Sequence, residues 1–102
     1  VEIGEGQAVQ VAGLMLAALG AQVLKVERPG GDPARGTARF ANWNRGKRSV
    51  VLDLATSEGL AGLDRRLAGA DVLLHQLTPS PRRGHARWGS TMPRWGRSIP
   101  GW

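Results

Sequence analysis

The chain has 102 residues, of which 41% are hydrophobic and 22% charged, and its formal net charge is +6. A chain of this length forms one small domain or part of a larger one. It contains no cysteine, which excludes disulfides and thiolate metal ligands and is consistent with a cytoplasmic location. Its longest apolar stretch is too short to span a bilayer, so we expect no membrane association.

The charge is distributed unevenly along the chain. Residues 1–78 carry nine basic and eight acidic side chains and are about neutral, whereas residues 79–102 carry five arginines and no acid. The second segment also holds four prolines and four glycines, and its apolar residues follow neither a strand nor a helix period. We therefore expect residues 79–102 to be a basic tail rich in Arg, Gly, Pro and Trp, irregular or disordered.

The tail admits two interpretations. Arginine interleaved with tryptophan can neutralise phosphates and stack on bases, so one hypothesis is a small basic protein that binds nucleic acid. The other is a non-native C-terminus produced by a frameshift, because GC-rich DNA read in a wrong frame is rich in Arg, Gly, Pro and Trp codons. We favour the second hypothesis and do not expect nucleic acid as a partner.

The first part of the chain predicts a strand, a helix and a second strand. The run VEIG is a short strand candidate, and residues 7–19 are rich in helix formers and apolar on most sides. Gly20 follows at the position where a helix end favours a left-handed residue. Residues 21–29, AQVLKVERP, predict the second strand, which ends at a proline. A helix that is apolar on most faces is expected to be covered by other structure.

The next part predicts a loop, a strand, a helix and a fourth strand. Residues 29–43 read as a long polar loop and residues 49–54 as the third strand. Thr56 can then cap a helix, with Glu58 in its first turn. The apolar stripe of this helix consists of Leu60, Leu63, Leu67 and Ala70. Residues 71–77, DVLLHQL, predict the fourth strand. This alternation of elements predicts parallel pairing and an α/β fold.

The turn after the first strand resembles part of a dinucleotide-binding fingerprint. Gly4 and Gly6 follow a strand and open a helix, and Glu27 ends the second strand, where an acid would bind ribose hydroxyls. However, Val9 stands in place of the third glycine, and Glu5 adds negative charge where a pyrophosphate would lie. The pattern therefore disfavours a dinucleotide site.

Neither a P-loop nor a metal site is indicated. Gly46 and Lys47 are followed by Arg48, which replaces the hydroxyl residue that a P-loop needs to hold magnesium. His75 and His85 are too isolated to supply the three or four ligands of a zinc site. We interpret His75 as a residue at the end of a strand, and no Ser–His–acid grouping is supported by spacing.

The densest positive charge outside the tail lies in the run NRGKRSVVLDL, residues 44–54. Arg45, Lys47 and Arg48 come directly before an apolar strand. Most charge runs of this kind are solvated loops, and the alternative is a site for an anion. The residue types alone leave both interpretations open.

Two longer runs carry a resemblance to a known family. LGAQVLKVERPGGDPAR and NRGKRSVVLDLATSEGLAGLDRRLAGADVLLHQLTP resemble the N-terminal region of family III CoA-transferases, and the likeness covers about residues 1–79. It implies that residues 1–78 are the N-terminal portion of an incomplete Rossmann-like domain. It also implies a large parent protein whose two identical subunits interlock.

The resemblance implies transfer of coenzyme A between an acyl-CoA thioester and a carboxylic acid, with CoA as a substrate and no further cofactor. In the family an aspartate carboxylate attacks the thioester, and that aspartate lies downstream of the matched part. We therefore expect no catalytic residue here and an inactive fragment. The aspartates that we do not assign as nucleophile are Asp32, Asp53, Asp64 and Asp71.

The resemblance also implies which residues belong to the CoA site. Arg28 corresponds to the residue that contacts the nucleotide end of CoA, and Gln7 to a glutamine of the active-site wall. Gln76 stands where the family usually has an asparagine that touches CoA. The basic residues expected beside the CoA phosphates are Arg45, Lys47 and Arg48. We expect all of these at the crevice beyond the carboxyl ends of the strands.

Overall fold

The computed structural model describes residues 1–76, which form a four-stranded sheet with helices packed against it. In chain order the elements are β1 (Glu2–Ile3), α1 (Gln7–Ala18), β2 (Leu24–Glu27), α2 (Ala38–Trp43), β3 (Arg48–Val51), α3 (Ser57–Leu67) and β4 (Leu74–His75). The basic tail predicted for residues 79–102 lies outside the described residues.

All strand pairs are parallel, and the strand order is β3-β2-β1-β4. Parallel neighbours need a crossover connection, which α1 supplies between β1 and β2 and the segment with α2 supplies between β2 and β3. Helix α3 lies between β3 and β4, which are at opposite edges of the sheet. Consequently the carboxyl ends of the strands meet at one edge of the sheet and their amino ends at the other. The α/β fold with a parallel sheet that the sequence predicted is confirmed.

Several local predictions need correction. The second and third strands are shorter than predicted, since β2 spans Leu24–Glu27 and β3 spans Arg48–Val51. The predicted loop of residues 29–43 contains the helix α2, which begins where the Thr37 hydroxyl accepts a hydrogen bond from the Phe40 backbone N–H at 3.1 Å. The helix was missed because six residues are too few to display a helical period. The fourth strand is also shorter than predicted, since β4 pairs with β1, and β1 offers only Glu2 and Ile3 as partners.

The core lies between the sheet and α3. Its buried members are Ile3, Val26, Leu54, Leu63 and Leu67. Helix α3 begins at Thr56, whose hydroxyl accepts a hydrogen bond from the Gly59 backbone N–H at 3.0 Å, as predicted. Its apolar stripe faces the core while Asp64 and Arg65 are exposed, so the predicted orientation of this helix is confirmed.

Gly59 provides a test of how closely α3 packs on the preceding loop. A Cβ atom at Gly59 would overlap the backbone carbonyl oxygen of Asp53. We predict that Gly59→Ala lowers the free energy of unfolding by about 1–3 kcal/mol, because this overlap outweighs the helix propensity of alanine. Urea unfolding monitored by circular dichroism measures the change.

Gly69→Ala is the matched control, because a Cβ atom there would have no heavy atom within 4 Å. Its effect should stay within about 0.5 kcal/mol. Equal stabilities for the two variants would contradict the close packing of α3.

Candidate functional site

The carboxyl edge of the sheet brings the β1–α1 turn against the end of β4. The backbone N–H of Gln76 donates to the Ile3 carbonyl at 3.0 Å. Gly4 has a φ of +143°, and a Cβ atom there would lie 2.9 Å from Val9 Cγ1. Glycine is thus needed at this position both for its backbone conformation and for the close approach of its neighbours.

The N-terminus of α1 opens onto this same edge. Gly6 is the N-cap residue, and α1 has neither a side-chain cap nor an acidic residue in its first turn. A Cβ atom at Gly6 would overlap the side-chain amide of Gln76, so that amide lies directly against the start of the helix. Gln7, the first residue of α1, is exposed. Free backbone N–H groups and the helix dipole make such a terminus favourable for an anion.

Arg28 follows the end of β2 and provides a positive side chain next to this turn. Its Nε atom lies 3.0 Å from Glu5 Oε1, and the exposed fractions of the two side chains are 27% and 17%. The carboxyl edge therefore combines Arg28, Gln76, the α1 N-terminus and the exposed Gln7. Of the residues predicted for the CoA site and its wall, Arg28, Gln76 and Gln7 are the three that the structure brings to this edge.

The loop from β2 to α2 is anchored by Glu27. Its Oε2 atom accepts hydrogen bonds of 2.8 Å from the Asp32 backbone N–H and from Arg35 Nε. Burial by itself raises the pKa of the Glu27 carboxyl, but the hydrogen bonds from Arg35 and Asp32 outweigh it, so the pKa lies below its ordinary value. Glu27 is 2% exposed and both of its oxygens accept hydrogen bonds from Arg35, so it does not present a free carboxylate to a ribose, which gives a second reason against a dinucleotide site.

The basic run before β3 lies at the opposite, amino edge. Arg48 begins β3, where its backbone N–H donates to the Val23 carbonyl at 2.9 Å. Arg45 lies in the preceding turn, with its Nε donating to the Asn42 carbonyl at 3.3 Å. An open cavity of about 520 Å³ at this edge is lined by Arg48, Arg66 and mostly apolar residues. The expectation that the cluster lies at the carboxyl-end crevice is wrong, because residues that precede a parallel strand lie at its amino end.

The side chain of Lys47 is buried, whereas its neighbours Arg45 and Arg48 are exposed. Its side chain is 2% exposed, and its Nζ atom lies 2.8 Å from Glu2 Oε2. The same ammonium donates to the Gln10 carbonyl at 2.7 Å and to Asn44 Oδ1 at 3.1 Å. Burial lowers the pKa of Lys47, and the hydrogen bond and charge of Glu2 oppose this effect. In this structure Lys47 therefore serves as an internal counter-charge and not as a surface cation.

Glu2 and Lys47 are part of a larger buried ion cluster, which we define as Glu2, Lys25, Asp32 and Lys47. Lys25 Nζ lies 3.5 Å from Glu2 Oε1 and 3.2 Å from Asp32 Oδ2, and it donates to the Gly4 carbonyl at 3.3 Å. The sequence patterns did not predict this cluster. Its signal was the presence of Glu2 and Lys25 inside otherwise apolar strands, since charges buried there must be paired.

Two further features are absent from residues 1–76. No helix in that part of the chain is long and apolar enough to cross a membrane. The same residues contain no group of three or more His, Cys, Asp or Glu side chains that could hold a metal ion.

Comparison with known proteins places the chain in a family. Residues 1–95 match CoA-transferase family III. The chain belongs to this family. It is 40% identical over 94 residues to succinate–glutarate CoA-transferase of Agrobacterium fabrum, with 76% of this chain and 23% of that protein covered. The alpha subunit of succinyl-CoA–L-malate CoA-transferase of Chloroflexus aurantiacus is 34% identical over 111 residues, with 98% of this chain and 24% of that protein covered.

A solved structure supports the same assignment. The crystal structure of hypothetical protein Rv3272 from Mycobacterium tuberculosis superimposes with a TM-score of 0.72 at 34% identity, and the match covers 84% of this chain and 28% of that one. The family III chain described here thus spans about a quarter of the length of the relatives it matches. The family resemblance drawn from the sequence is confirmed.

The buried position of Lys47 in this family III chain can be tested against its exposed neighbour. Lys47→Met should lower the free energy of unfolding by about 3–5 kcal/mol, because it removes one partner of a buried ion pair and leaves Glu2 undercompensated. Arg48→Met, which removes the same charge from an exposed side chain, should change it by less than about 0.5 kcal/mol. Thermal and urea unfolding measure both, and similar losses in the two variants would argue against the buried ion cluster.

The Glu27–Arg35 pair predicts a pH dependence. Because the pKa of Glu27 is lower in the folded chain than its ordinary value of 4.5, its stabilising contribution is fully present above that pH. It is lost as the pH falls through the lowered pKa of the folded state. The stability difference between the wild-type chain and Glu27→Gln should therefore shrink between pH 6 and about pH 3.

Asp64→Asn serves as the control for this measurement, because it removes an exposed carboxylate from α3. Its stability should run parallel to that of the wild type over the same pH range. A constant difference for Glu27→Gln would refute the lowered pKa.

Proposed function

We propose that residues 1–76 form part of the CoA-binding half of an enzyme that transfers coenzyme A between an acyl-CoA thioester and a carboxylic acid. Membership of CoA-transferase family III supports the reaction class. The observation that carries the binding site is the meeting of Arg28, Gln76 and the uncapped N-terminus of α1 at the carboxyl edge of the sheet. In open parallel α/β sheets, ligands bind beyond this edge.

The chemistry of this edge suits the anionic part of CoA, which carries a diphosphate and a 3′-phosphate. The guanidinium of Arg28 can donate charge-assisted hydrogen bonds to a phosphate, and the first N–H groups of α1 can donate further ones. The amide of Gln76 offers both a donor and an acceptor beside them. Gln7 is exposed on the first turn of the same helix, which is consistent with the wall position that the family resemblance implies.

The basic residues before β3 contribute differently in this proposal. Arg45 and Arg48 lie at the amino edge, and Lys47 is engaged by Glu2 inside the chain. We therefore assign the CoA phosphates to Arg28 and not to this run.

We further propose that the nucleophilic carboxylate of the reaction lies outside residues 1–76. A carboxylate that attacks a thioester must be accessible at the substrate. Asp32 is buried against Lys25, and Asp53 Oδ1 accepts a hydrogen bond from the Ala55 backbone N–H at 3.0 Å. Asp71 borders the amino-edge cavity, and Asp64 is exposed on α3. None of these four carboxylates lies free beside Arg28.

The exposed apolar surface supports burial by a larger assembly. The exposed fractions of Met15 on α1 and of Leu19 at its C-cap are 62% and 84%, and that of Val51 on the edge strand β3 is 57%. Exposed apolar side chains and open strand edges are usually covered in the complete protein. We propose that the remaining three quarters of a family III protein, with its interlocked homodimer, supply this cover.

A pair of arginine variants tests the proposed CoA site. Arg28→Ala should weaken CoA binding by about 1.5–3 kcal/mol, because each lost charge-assisted contact to a phosphate is worth that much. Arg48→Ala removes the same charge at the opposite edge and should leave CoA affinity nearly unchanged. Isothermal titration of the full chain with CoA measures both. A larger loss in Arg48→Ala than in Arg28→Ala would move the site to the amino edge and contradict the proposal.

A further inference from the structure

An acidic residue, Glu5, lies at the carboxyl edge, where we propose that an anionic ligand binds. Glu5 lies in the β1–α1 turn, and its Oε1 atom is 3.0 Å from Arg28 Nε. We propose that Glu5 sets the affinity of this edge for anions: by neutralising Arg28 it keeps the binding of phosphate groups weak. This inference rests on the CoA site proposed above and names the residue that tunes it.

The ion pair between Arg28 and Glu5 is partly shielded from solvent. With exposed fractions of 27% for Arg28 and 17% for Glu5, the two charges interact in a medium less polar than bulk water, where screening by salt is weaker. An entering phosphate therefore encounters a nearly neutral pair instead of a bare cation. Arg28 directs Nε toward Glu5, and an arginine has further N–H donors that can serve a ligand. The ligand can thus bind with the pair intact, but against the repulsion of the Glu5 carboxylate.

The backbone of Glu5 is held in place by buried contacts on both sides. Its carbonyl accepts a hydrogen bond of 2.7 Å from Gln10 Nε2, and Gln10 is 1% exposed. The Oε1 atom of Gln10 in turn accepts from Asn44 Nδ2 at 2.8 Å. The preceding carbonyl, that of Gly4, accepts from Lys25 Nζ of the buried ion cluster at 3.3 Å. Because these contacts fix the turn, the chain cannot move Glu5 away from Arg28 by a simple shift of the loop.

The other two acids at this edge, Glu27 and Asp32, do not compete for the same role, and Asp32 is buried against Lys25. Glu27 is the neighbouring carboxylate at the end of β2, but its oxygens are engaged by Arg35 and the Asp32 backbone N–H. Since the first turn of α1 carries no acid, Glu5 is the carboxylate within residues 1–76 whose charge opposes an anion at the α1 N-terminus. Its effect should depend on the charge of the ligand and not on its shape.

The experiment compares the wild-type 102-residue chain with Glu5→Gln by isothermal titration at low and moderate salt. The probes are CoA, inorganic pyrophosphate and pantetheine, which lacks the phosphates. Glu5→Gln should bind CoA and pyrophosphate about three- to tenfold more tightly, as removal of one partly shielded like charge predicts. Pantetheine binding should not change, and the gain should decrease as salt rises.

Two further variants make the comparison specific. Asp64→Asn lowers the negative charge of the chain by the same amount on an exposed face of α3 and should leave all three affinities at their wild-type values. The double variant Arg28→Ala with Glu5→Gln should lose the gain, because the gain arises at Arg28. Glu5→Ala repeats the test with a second side chain, and thermal unfolding establishes that each variant is folded.

The outcomes separate this inference from the proposed function. A CoA affinity of Glu5→Gln and Glu5→Ala that is lower than or equal to that of the wild type would overturn the inference. A lower affinity would show that Glu5 orients Arg28 for the ligand. A gain for pyrophosphate without CoA binding in any variant would uphold the role of Glu5 and overturn the proposed CoA site. An equal gain in Asp64→Asn would reduce the effect to net charge and also overturn the inference.

Discussion

The buried ion cluster is the constraint on which the arrangement of residues 1–76 depends. Glu2 comes from β1, Lys25 from β2, Asp32 from the loop after β2, and Lys47 from the turn before β3. Removing a charge from water is costly unless a partner of opposite sign and hydrogen bonds replace the lost hydration. Burial of each of these four side chains is therefore tolerated only when the segments that carry its partners are in position.

The cluster supplements a small apolar core in specifying how the strands and loops fit together. Seven hydrophobic side chains among residues 1–76 are buried, five of them in the core between the sheet and α3. Two of the four strands are two residues long. Gly13 shows how closely the charged groups are packed, because a Cβ atom at that position of α1 would overlap the Glu2 carboxylate. A helix interior normally favours alanine over glycine, so this glycine is explained by the carboxylate behind it.

The proposed site inherits its geometry from the same cluster. Lys25 holds the Gly4 carbonyl on one side and Asp32 on the other, and these residues belong to the two loops that present Glu5 and Arg28. The Glu27–Arg35 pair fixes the second loop independently. Because both loops are tied to buried charges, the position of Arg28 relative to the N-terminus of α1 is a property of the fold and not of a mobile surface.

What the sequence by itself determined are the features that depend on neighbours along the chain. The order of the four strands with α1 and α3, the cap at Thr56 and the apolar stripe through Leu63 and Leu67 follow from local patterns, and the structure confirms them. The short helix α2 was missed. The parallel sheet follows from the alternation of strands and helices. The family follows from ordered motifs that cover most of the chain.

Only the tertiary structure decided which charges lie inside and at which edge each cation lies. The run before β3 places similar residues side by side, yet Lys47 turns inward to Glu2 while Arg45 and Arg48 stay exposed. Glu2, the partner of Lys47, lies in β1 and is far from Lys47 along the chain. Glu5 is likewise far from Arg28 along the chain. Such pairs are set by the stacking of strands and by the cost of burying a charge alone, and no local spacing in the sequence records either.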